Sequence, residues 1–444
     1  MRHHIKKKLT NIIQILMNSI NVVEENLESE DADSLIKLLT ECQQSAIGVG
    51  EIIEQFEGEG TSTVKLIEQY CETIYQLSLT IIDIIKSKKI IKSIRNQLQK
   101  ILNSITYDIP VSKKEIVFLP YNASMWDSLE SVWRSAYEDD SCDTYVIPIP
   151  YYDKNPDGTL GQMHYEGKDL PEYVPITSWE EYSIAERRPD LVYIHNPYDN
   201  ANKAISIHPN FYAKELKRYI GMLVYIPYFV TVGNLPTHFC ILPGTMYADK
   251  VIVQSEIEKQ TYISEFQKFE KENNCIGLFG DLDKKFIALG SPKFDKVIST
   301  TRGNVDIPDE WNRLIIKPDG SRKVVIFYNT TLQAILNYDE EYLKKLKEVL
   351  SLFYDNRDKY TLLWRPHPLM ETTLASMRPH LLDTYISIVK DYKLHAFGIY
   401  DASSDLYRAI AISDAYYGDQ SSVAVLYKKT GKPIMIQNVK VRTT

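Results

Sequence analysis

At 444 residues, with 44% hydrophobic and 25% charged residues, the chain has the make-up of a globular protein of two or three domains. Fifty-one basic against 59 acidic residues give a net charge of −8, which excludes a nucleic-acid binder working through bulk charge. Five scattered cysteines without CxxC spacing exclude a zinc ribbon, and neither a secretory signal nor an apolar run near the ~18–20 residues of a membrane span is present, so the chain reads as cytoplasmic.

Residues 1–108 read as an up-and-down helical bundle, with apolar residues at helical spacing from Ile12 to Val23 and from Leu35 to Phe56. A third helix is expected from Ser62 to Ile85 and a fourth from Lys86 to Ile105. No inward-facing His or acidic cluster marks it, so it reads as a docking or homo-oligomerisation module. The basic start, Arg2-His3-His4-Ile5-Lys6-Lys7-Lys8, is expected to be a solvated end that allows contact with an anionic membrane surface.

After a linker at Thr106–Ser112 the period changes. Strands are expected at Glu115–Pro120, Thr144–Pro150, Asp190–His195, Met222–Pro227 and Asp249–Gln254, with a helix over Met125–Ala136, an alternation that predicts a mostly parallel sheet. In such sheets the carboxyl ends of the strands line the ligand crevice. Tyr121, Asn122, Asp153, Asn196 and Asp199 fall there, as an acceptor-side set. His195 is the leading candidate for a base, with Asp199 to orient it; His164, in His164-Tyr165-Glu166, and His208 compete with it. Asp281-Leu282-Asp283 has DxD form, but without a third ligand it reads as solvated charge, and no metal or cofactor is called for. Thirty-one tyrosines suit flat polyol or sugar surfaces as well as cores.

A second α/β set is expected from Lys285 onward, with strands at Phe286–Leu289, Val324–Tyr328, Thr361–Trp364, Phe397–Tyr400, Asp414–Tyr417 and Ile434–Gln437. Four turns carry its chemistry. In Leu363-Trp364-Arg365-Pro366-His367-Pro368, two prolines fix the backbone around Arg365, whose fork suits phosphate oxygens, and His367, a hydrogen-bond donor or acid toward a leaving phosphate. Gly418-Asp419-Gln420-Ser421-Ser422 joins a strand to a helix start, where free N–H groups and the helix dipole favour an anion; an ordinary N-cap is the plain alternative. Gly290-Ser291-Pro292-Lys293 and Asn329-Thr330-Thr331 follow other strands, so Gly290, Ser291, Lys293, Asn329 and Thr330 join Asp419, Ser421 and Ser422 as nucleotide-side candidates.

LLWRPHP, SDAYYGDQSSVAVLYKKTGKPIM and ALGSPKFDKV resemble the C-terminal half of the CDP-glycerol glycerophosphotransferases, the teichoic-acid primase and polymerase group, and YADKVIVQSE is similar to the segment closing that family's first domain. The resemblance spans Glu115 to Gln437. It implies a GT-B-like pair of Rossmann-like domains, here at 113–284 (acceptor) and 285–444 (nucleotide donor) after the helical bundle at 1–108. It also implies a pyrophosphate held by Arg365, His367, Ser421 and Ser422, and work at the inner face of a membrane. Three departures stand out. Leu223–Tyr228 lacks the histidine of the family's WHGT-type motif, GSPK replaces a GYPR-like turn, and DQSS replaces DYSS. The chain also ends soon after its last strand, where this fold normally adds a helix crossing back to the first domain.

The expected function is transfer of glycerol phosphate from CDP-glycerol, or a related nucleotide-activated donor, to a polyol or glycan hydroxyl with release of CMP. A GT-B glycosyltransferase using a nucleotide sugar is the second reading. A scaffold whose core no longer catalyses is the third.

Overall fold

The computed structural model describes residues 1–29 and 31–440. Four helices open the chain: α1 (His3–Asn26), α2 (Ala32–Glu57), α3 (Ser62–Thr80) and α4 (Ile84–Tyr107). Leu9, Ile13, Leu39, Ile53, Tyr70, Leu77, Ile94 and Leu98 supply their shared core. The third helix stops short of the expected Ile85. Asp83 instead caps α4 by accepting from the Lys86 amide (3.1 Å), so Ile81–Asp83 is the turn between α3 and α4.

The chain then forms β1 (Lys114–Leu119), β2 (Cys142–Val146), β3 (Tyr151–Lys154), β4 (Leu160–His164), β5 (Leu191–Ile194), β6 (Ile205–Ile207), β7 (Met222–Tyr225), β8 (Lys250–Val253) and β9 (Phe286–Ala288). Six of these make a parallel sheet in the order β2-β1-β5-β7-β8-β9. The strand expected to open the second set, β9, therefore closes the first. Its Phe286 pairs with Val251 and packs on Tyr262 and Phe266 of the Glu256–Glu272 helix. The expected helix over Met125–Ala136 is a 3₁₀ segment, Ala123–Ser128, followed by an α-helix, Glu130–Tyr137.

The sequence reading missed the antiparallel sheet β4-β3-β6. Its signal is Asn155-Pro156-Asp157-Gly158, turn residues between two runs of mixed polarity; Gly158 sits at φ 85°, where a side chain is strained.

A second parallel sheet contains β10 (Val324–Thr330), β11 (Tyr360–Pro366), β12 (Ile399–Tyr400), β13 (Ala415–Gly418) and β14 (Ile434–Ile436), in the order β12-β11-β10-β13-β14. Two Rossmann-like α/β units behind a helical bundle make a GT-B-like architecture. The helix Pro292–Ser299 joins the lobes. Lys293 Nζ reaches Asp127 of the first lobe at 2.6 and 2.8 Å, Tyr407 of the second donates to the same carboxylate, and Lys296 pairs with Glu130 at 2.9 Å.

The bundle meets the opposite, amino-terminal edge of the first sheet. Arg2 pairs with buried Glu115, which also takes Arg187 (2.6 and 2.9 Å) and the Tyr182 hydroxyl. His4 donates its amide to Asp190 (3.2 Å), with its Nδ1 2.8 Å from the same oxygen. Burial opposes ionisation of Asp190, but the bonds from His4 and the Glu115 amide outweigh it and hold the carboxyl below its ordinary range. At Gly221 a Cβ would lie 2.6 Å from the Asp190 carbonyl and 2.7 Å from the His4 ring, so this contact needs glycine. The basic start is thus a docked segment: Lys6 Nζ caps the end of α4 at the Thr106 (2.9 Å) and Ile109 (2.7 Å) carbonyls.

Candidate functional site

Parallel pairing sets the site. Tyr328 in β10 lies opposite Trp364 in β11 and Tyr417 in β13, so the turns after all three strands leave the same edge of the sheet. They open on a cavity of about 990 Å³, lined by His367, Asp419, Ser421, Ser422 and the Thr331–Tyr338 segment, and reached from the first lobe by Val232. The helices Leu332–Asp355 and Ser422–Lys428 begin in this lining, so their unpaired N–H groups and positive dipole ends face the same space.

His367 is held by its backbone, whose amide donates to the Thr330 carbonyl (2.9 Å). Its Nδ1 accepts from the Leu369 amide (3.2 Å), which assigns the proton to Nε2. Burial lowers its pKa, so the ring is neutral and offers one N–H.

Ser421 Oγ accepts from the Ala424 amide (3.2 Å) and donates to Asn329 Oδ1 (3.0 Å), so its hydroxyl is spent on capping. Ser422 and Gln420 are exposed, and neither side chain has a hydrogen-bond partner among the described residues. Asp419 is buried and accepts from the Thr331 amide and the Tyr342 hydroxyl (both 2.7 Å), Thr331 Oγ1 (3.1 Å) and Gln437 Nε2 (2.5 Å). It ties the cavity walls together. Asn329 and Thr330 act behind them: Asn329 Nδ2 donates to the Arg365 carbonyl (3.0 Å), and Thr330 Oγ1 accepts from Trp364 Nε1 (3.1 Å).

Arg365 is placed differently from the sequence reading. Its guanidinium turns from the cavity to pair with buried Asp401 and to donate to the Ser403 carbonyl (2.7 Å). Among the described residues lining the cavity there is no lysine or arginine. Gly290, Ser291 and Lys293 also lie elsewhere. They follow β9, Ser291 Oγ caps the joining helix (3.4 Å from the Lys293 amide), and Lys293 is committed to Asp127. Gln333 and Asn337, four apart on the first turns of the helix after Thr331, line the cavity and were missed; that i, i+4 spacing was the available signal.

On the first lobe, His195 has no exposed surface. Its Nε2 accepts from the Tyr121 amide (3.1 Å), and its Nδ1 lies 3.0 Å from Ser128 Oγ and 3.3 Å from the Met125 carbonyl. Burial depresses its pKa to about 3, so it is a neutral pin for the turn after β1 and not an accessible base. Asp199 does not orient it. At φ 50° it accepts from the Ala213 amide (2.8 Å), and its other oxygen is buried without a partner. Burial pushes its pKa up to about 7. Asn196 is buried and accepts from the Tyr198 amide (2.8 Å).

Tyr121 and Asn122 meet one cluster, Tyr121 through the Tyr151 ring (5.6 Å) and Asn122 through Glu166. Glu166, on the loop after β4, accepts from Asn122 Nδ2 (3.0 Å), the Ala123 amide (2.8 Å) and the Tyr151 hydroxyl (2.6 Å). Asp153 meets His164 across β3 and β4, Oδ2 to Nε2, at 2.8 Å. Rings run from His164 through Tyr151 (5.1 Å) and Tyr121 (5.6 Å) to His195 (5.3 Å) and Tyr228 (6.5 Å). Tyr228 begins the loop that carries Val232 to the cavity, and Val230 on that loop packs into the second lobe's core.

No protein-family model matches the chain, and no curated protein matches it. Among solved structures it is similar to a UDP-N-acetylglucosamine 2-epimerase, at 11% identity over 74% of this chain and 79% of that one, with a TM-score of 0.45. It is similar to the wall teichoic acid polymerase TagF at 14% identity over 82% of this chain and 78% of that one, TM-score 0.40. The UDP-GlcNAc 2-epimerase from Neisseria meningitidis aligns at 11% identity over 72% and 82%, TM-score 0.39. With scores this low these are distant likenesses, and the two-sheet architecture rests on the strand pairing itself.

Proposed function

We propose that the chain is a transferase that binds a nucleotide-activated donor in the His367 cavity and passes its activated group to a hydroxyl acceptor held on the first lobe. The donor fitting the sequence motifs is CDP-glycerol, with glycerol phosphate transferred and CMP released. One observation carries this reading: the His367 Nε2–H and two helix starts open on one 990 Å³ cavity at the carboxyl edge of β10, β11 and β13. Such preorganised dipoles stabilise charge developing on the leaving phosphate without reorganising as the bond breaks. With no lysine or arginine among the described residues of its lining, this reading assigns the work to N–H groups and dipoles and gives Arg365, paired with Asp401, no pyrophosphate role.

The test is CMP release from CDP-glycerol by the full chain with polyol or glycan acceptors. His367→Ala should lower the rate by about 10²–10³. An unchanged rate would remove the cavity from the mechanism. The missing histidine in Leu223–Tyr228 favours a second reading, a glycosyltransferase taking a nucleotide sugar. Thermal-shift screening of CDP-glycerol against UDP- and GDP-sugars separates the two, because the ligand bound to the folded state raises Tm.

A further inference from the structure

Among the described residues lining the His367 cavity, Val232 alone comes from the first lobe. It stands on the loop after β7, and nothing at the tip of that loop holds it. Val232, Gly233 and Asn234 are exposed and make no hydrogen bond among the described residues. Where Val232 sits is therefore decided one residue back, at the root. We propose that Thr231 and Glu258 are positioning residues that set Val232 as the first lobe's wall of the donor cavity. The role rests on the transferase reading above and adds residues to it.

The root is a closed node of hydrogen bonds. Thr231 is buried, and its amide donates to Gln254 Oε1 (3.1 Å). Gln254 Nε2 donates back to the Thr231 hydroxyl (2.8 Å) and carbonyl (3.2 Å). The Thr231 hydroxyl in turn donates to Glu258 Oε1, and the Gln254 amide to Glu258 Oε2 (3.1 Å). One buried carboxylate thus holds both the loop and the residue that follows β8. On either side of Thr231 the chain touches the second lobe, Val230 in its core and Val232 in the cavity wall. The crossing to that lobe also starts beside the node, where the Val253 carbonyl accepts from the Leu289 (3.2 Å) and Gly290 (3.1 Å) amides.

The fold alone gives a weak reason for this carboxylate. Burial opposes its ionisation and raises its pKa, and its hydrogen-bond partners, a hydroxyl and an amide, are both neutral. A buried carboxylate without a counter-ion costs stability. Ser255 Oγ already caps the Glu256–Glu272 helix through the Glu258 amide (3.3 Å), and the bond from the Gln254 amide serves the same helix start. The bond from Thr231 serves no helix. What it secures is the backbone that carries Val232 to the donor.

The experiment uses the full chain with CDP-glycerol and a polyol acceptor, reading CMP release and the donor-induced thermal shift. Thr231→Val keeps the shape and removes the hydroxyl; it should raise KM for CDP-glycerol about tenfold and change kcat less. Thr231→Ser, which keeps the hydroxyl, should restore the parent KM. Val232→Ala, at an exposed position, should raise the donor KM without lowering the Tm of the unliganded chain. Because both changes act through one wall, the double variant should stay within about twofold of the weaker-binding single variant. A node that serves only the fold would instead give Thr231→Val a lower Tm with an unmoved donor KM, or effects of the two changes that multiply in full. Either result overturns the proposal, as does a parent-like donor KM in Val232→Ala, a test that disturbs no buried group. A parent chain that shows no shift with CDP-glycerol, or binds it without releasing CMP, overturns the transferase reading instead, so the two failures are distinct.

Discussion

His195 and Asp199 are buried titratable groups on neighbouring turns whose environments push stability in opposite directions with pH. The histidine's folded pKa of about 3 lies below its ordinary 6.5, so the unfolded chain binds the extra proton. Its contribution is full above 6.5 and falls by about 1.4 kcal/mol per pH unit as pH drops toward 3. The carboxyl's folded pKa of about 7 lies above its ordinary 3.8, so its contribution is full below 3.8 and is lost as pH rises toward 7. Between 3.8 and 6.5 the two slopes cancel in the parent. Asp199→Asn keeps an oxygen for the Ala213 amide and tolerates φ 50°. Urea unfolding should show it more stable than the parent at pH 8, with stability rising more steeply with pH between 4 and 6.5 than the parent's. Equal stability of variant and parent at pH 8 would contradict a buried, protonated Asp199.

Arg365 shows how a residue type suited to phosphate can be committed elsewhere. Arg365→Ala takes the cation from buried Asp401, which keeps only the Ser403 amide and hydroxyl as partners, a change that costs about 3–5 kcal/mol. Nucleotide affinity of the fraction that stays folded should be unchanged, as titration calorimetry at low temperature would show. A selective loss of affinity without loss of stability would return Arg365 to the phosphates.

At the level of elements, the cavity is made by three turns that must leave their strands in register. Gly418 ends β13 where a Cβ would lie 2.3 Å from the Asn329 carbonyl oxygen, so Gly418→Ala should push β13 from β10 and lower Tm by several degrees. Ser421→Ala removes the N-cap of the following helix and should cost about 1 kcal/mol with a smaller effect on turnover than His367→Ala. A catalytic loss as large as that of His367→Ala would mean that the serine hydroxyl touches substrate. The helix Leu332–Asp355 is interrupted at Asp339 (φ 45°, ψ −121°), which Arg378 Nε holds at 2.6 Å, so the wall carrying Gln333 and Asn337 is a separate turn from the long segment behind it.

For the whole molecule, the lobes share an ion-paired hinge side and the bundle sits at the far edge. Asp127 accepts from both Lys293 and Tyr407, one on the joining helix and one in the second lobe. Asp127→Ala should loosen the lobes, seen as a larger radius of gyration in solution scattering and faster proteolysis around residues 300–308. The same variant with unchanged scattering and proteolysis would show that Lys296–Glu130 and the Val230 contact suffice. The cavity predicts a further property. With no lysine or arginine among the described residues of its lining, nucleotide affinity should fall little between low and high salt, since screening acts on separated charges more than on buried hydrogen bonds.

The α/β alternation, the bundle, and the meeting of His367, Asp419, Ser421 and Ser422 at one edge were legible from residues alone. Strand period and turn chemistry are written within windows of about ten residues, and parallel pairing puts every strand's carboxyl end on the same side. The partner of each polar side chain was not legible. Arg365 finds Asp401 and Ser403, His195 finds the Tyr121 amide, Arg2 finds Glu115, and β9 finds β8, each through a neighbour that only packing brings close. Local sequence decides which groups arrive at an edge. Whether such a group faces a ligand or is spent on the fold depends on the nearest competing charge or amide, and that is settled only when distant segments close around it.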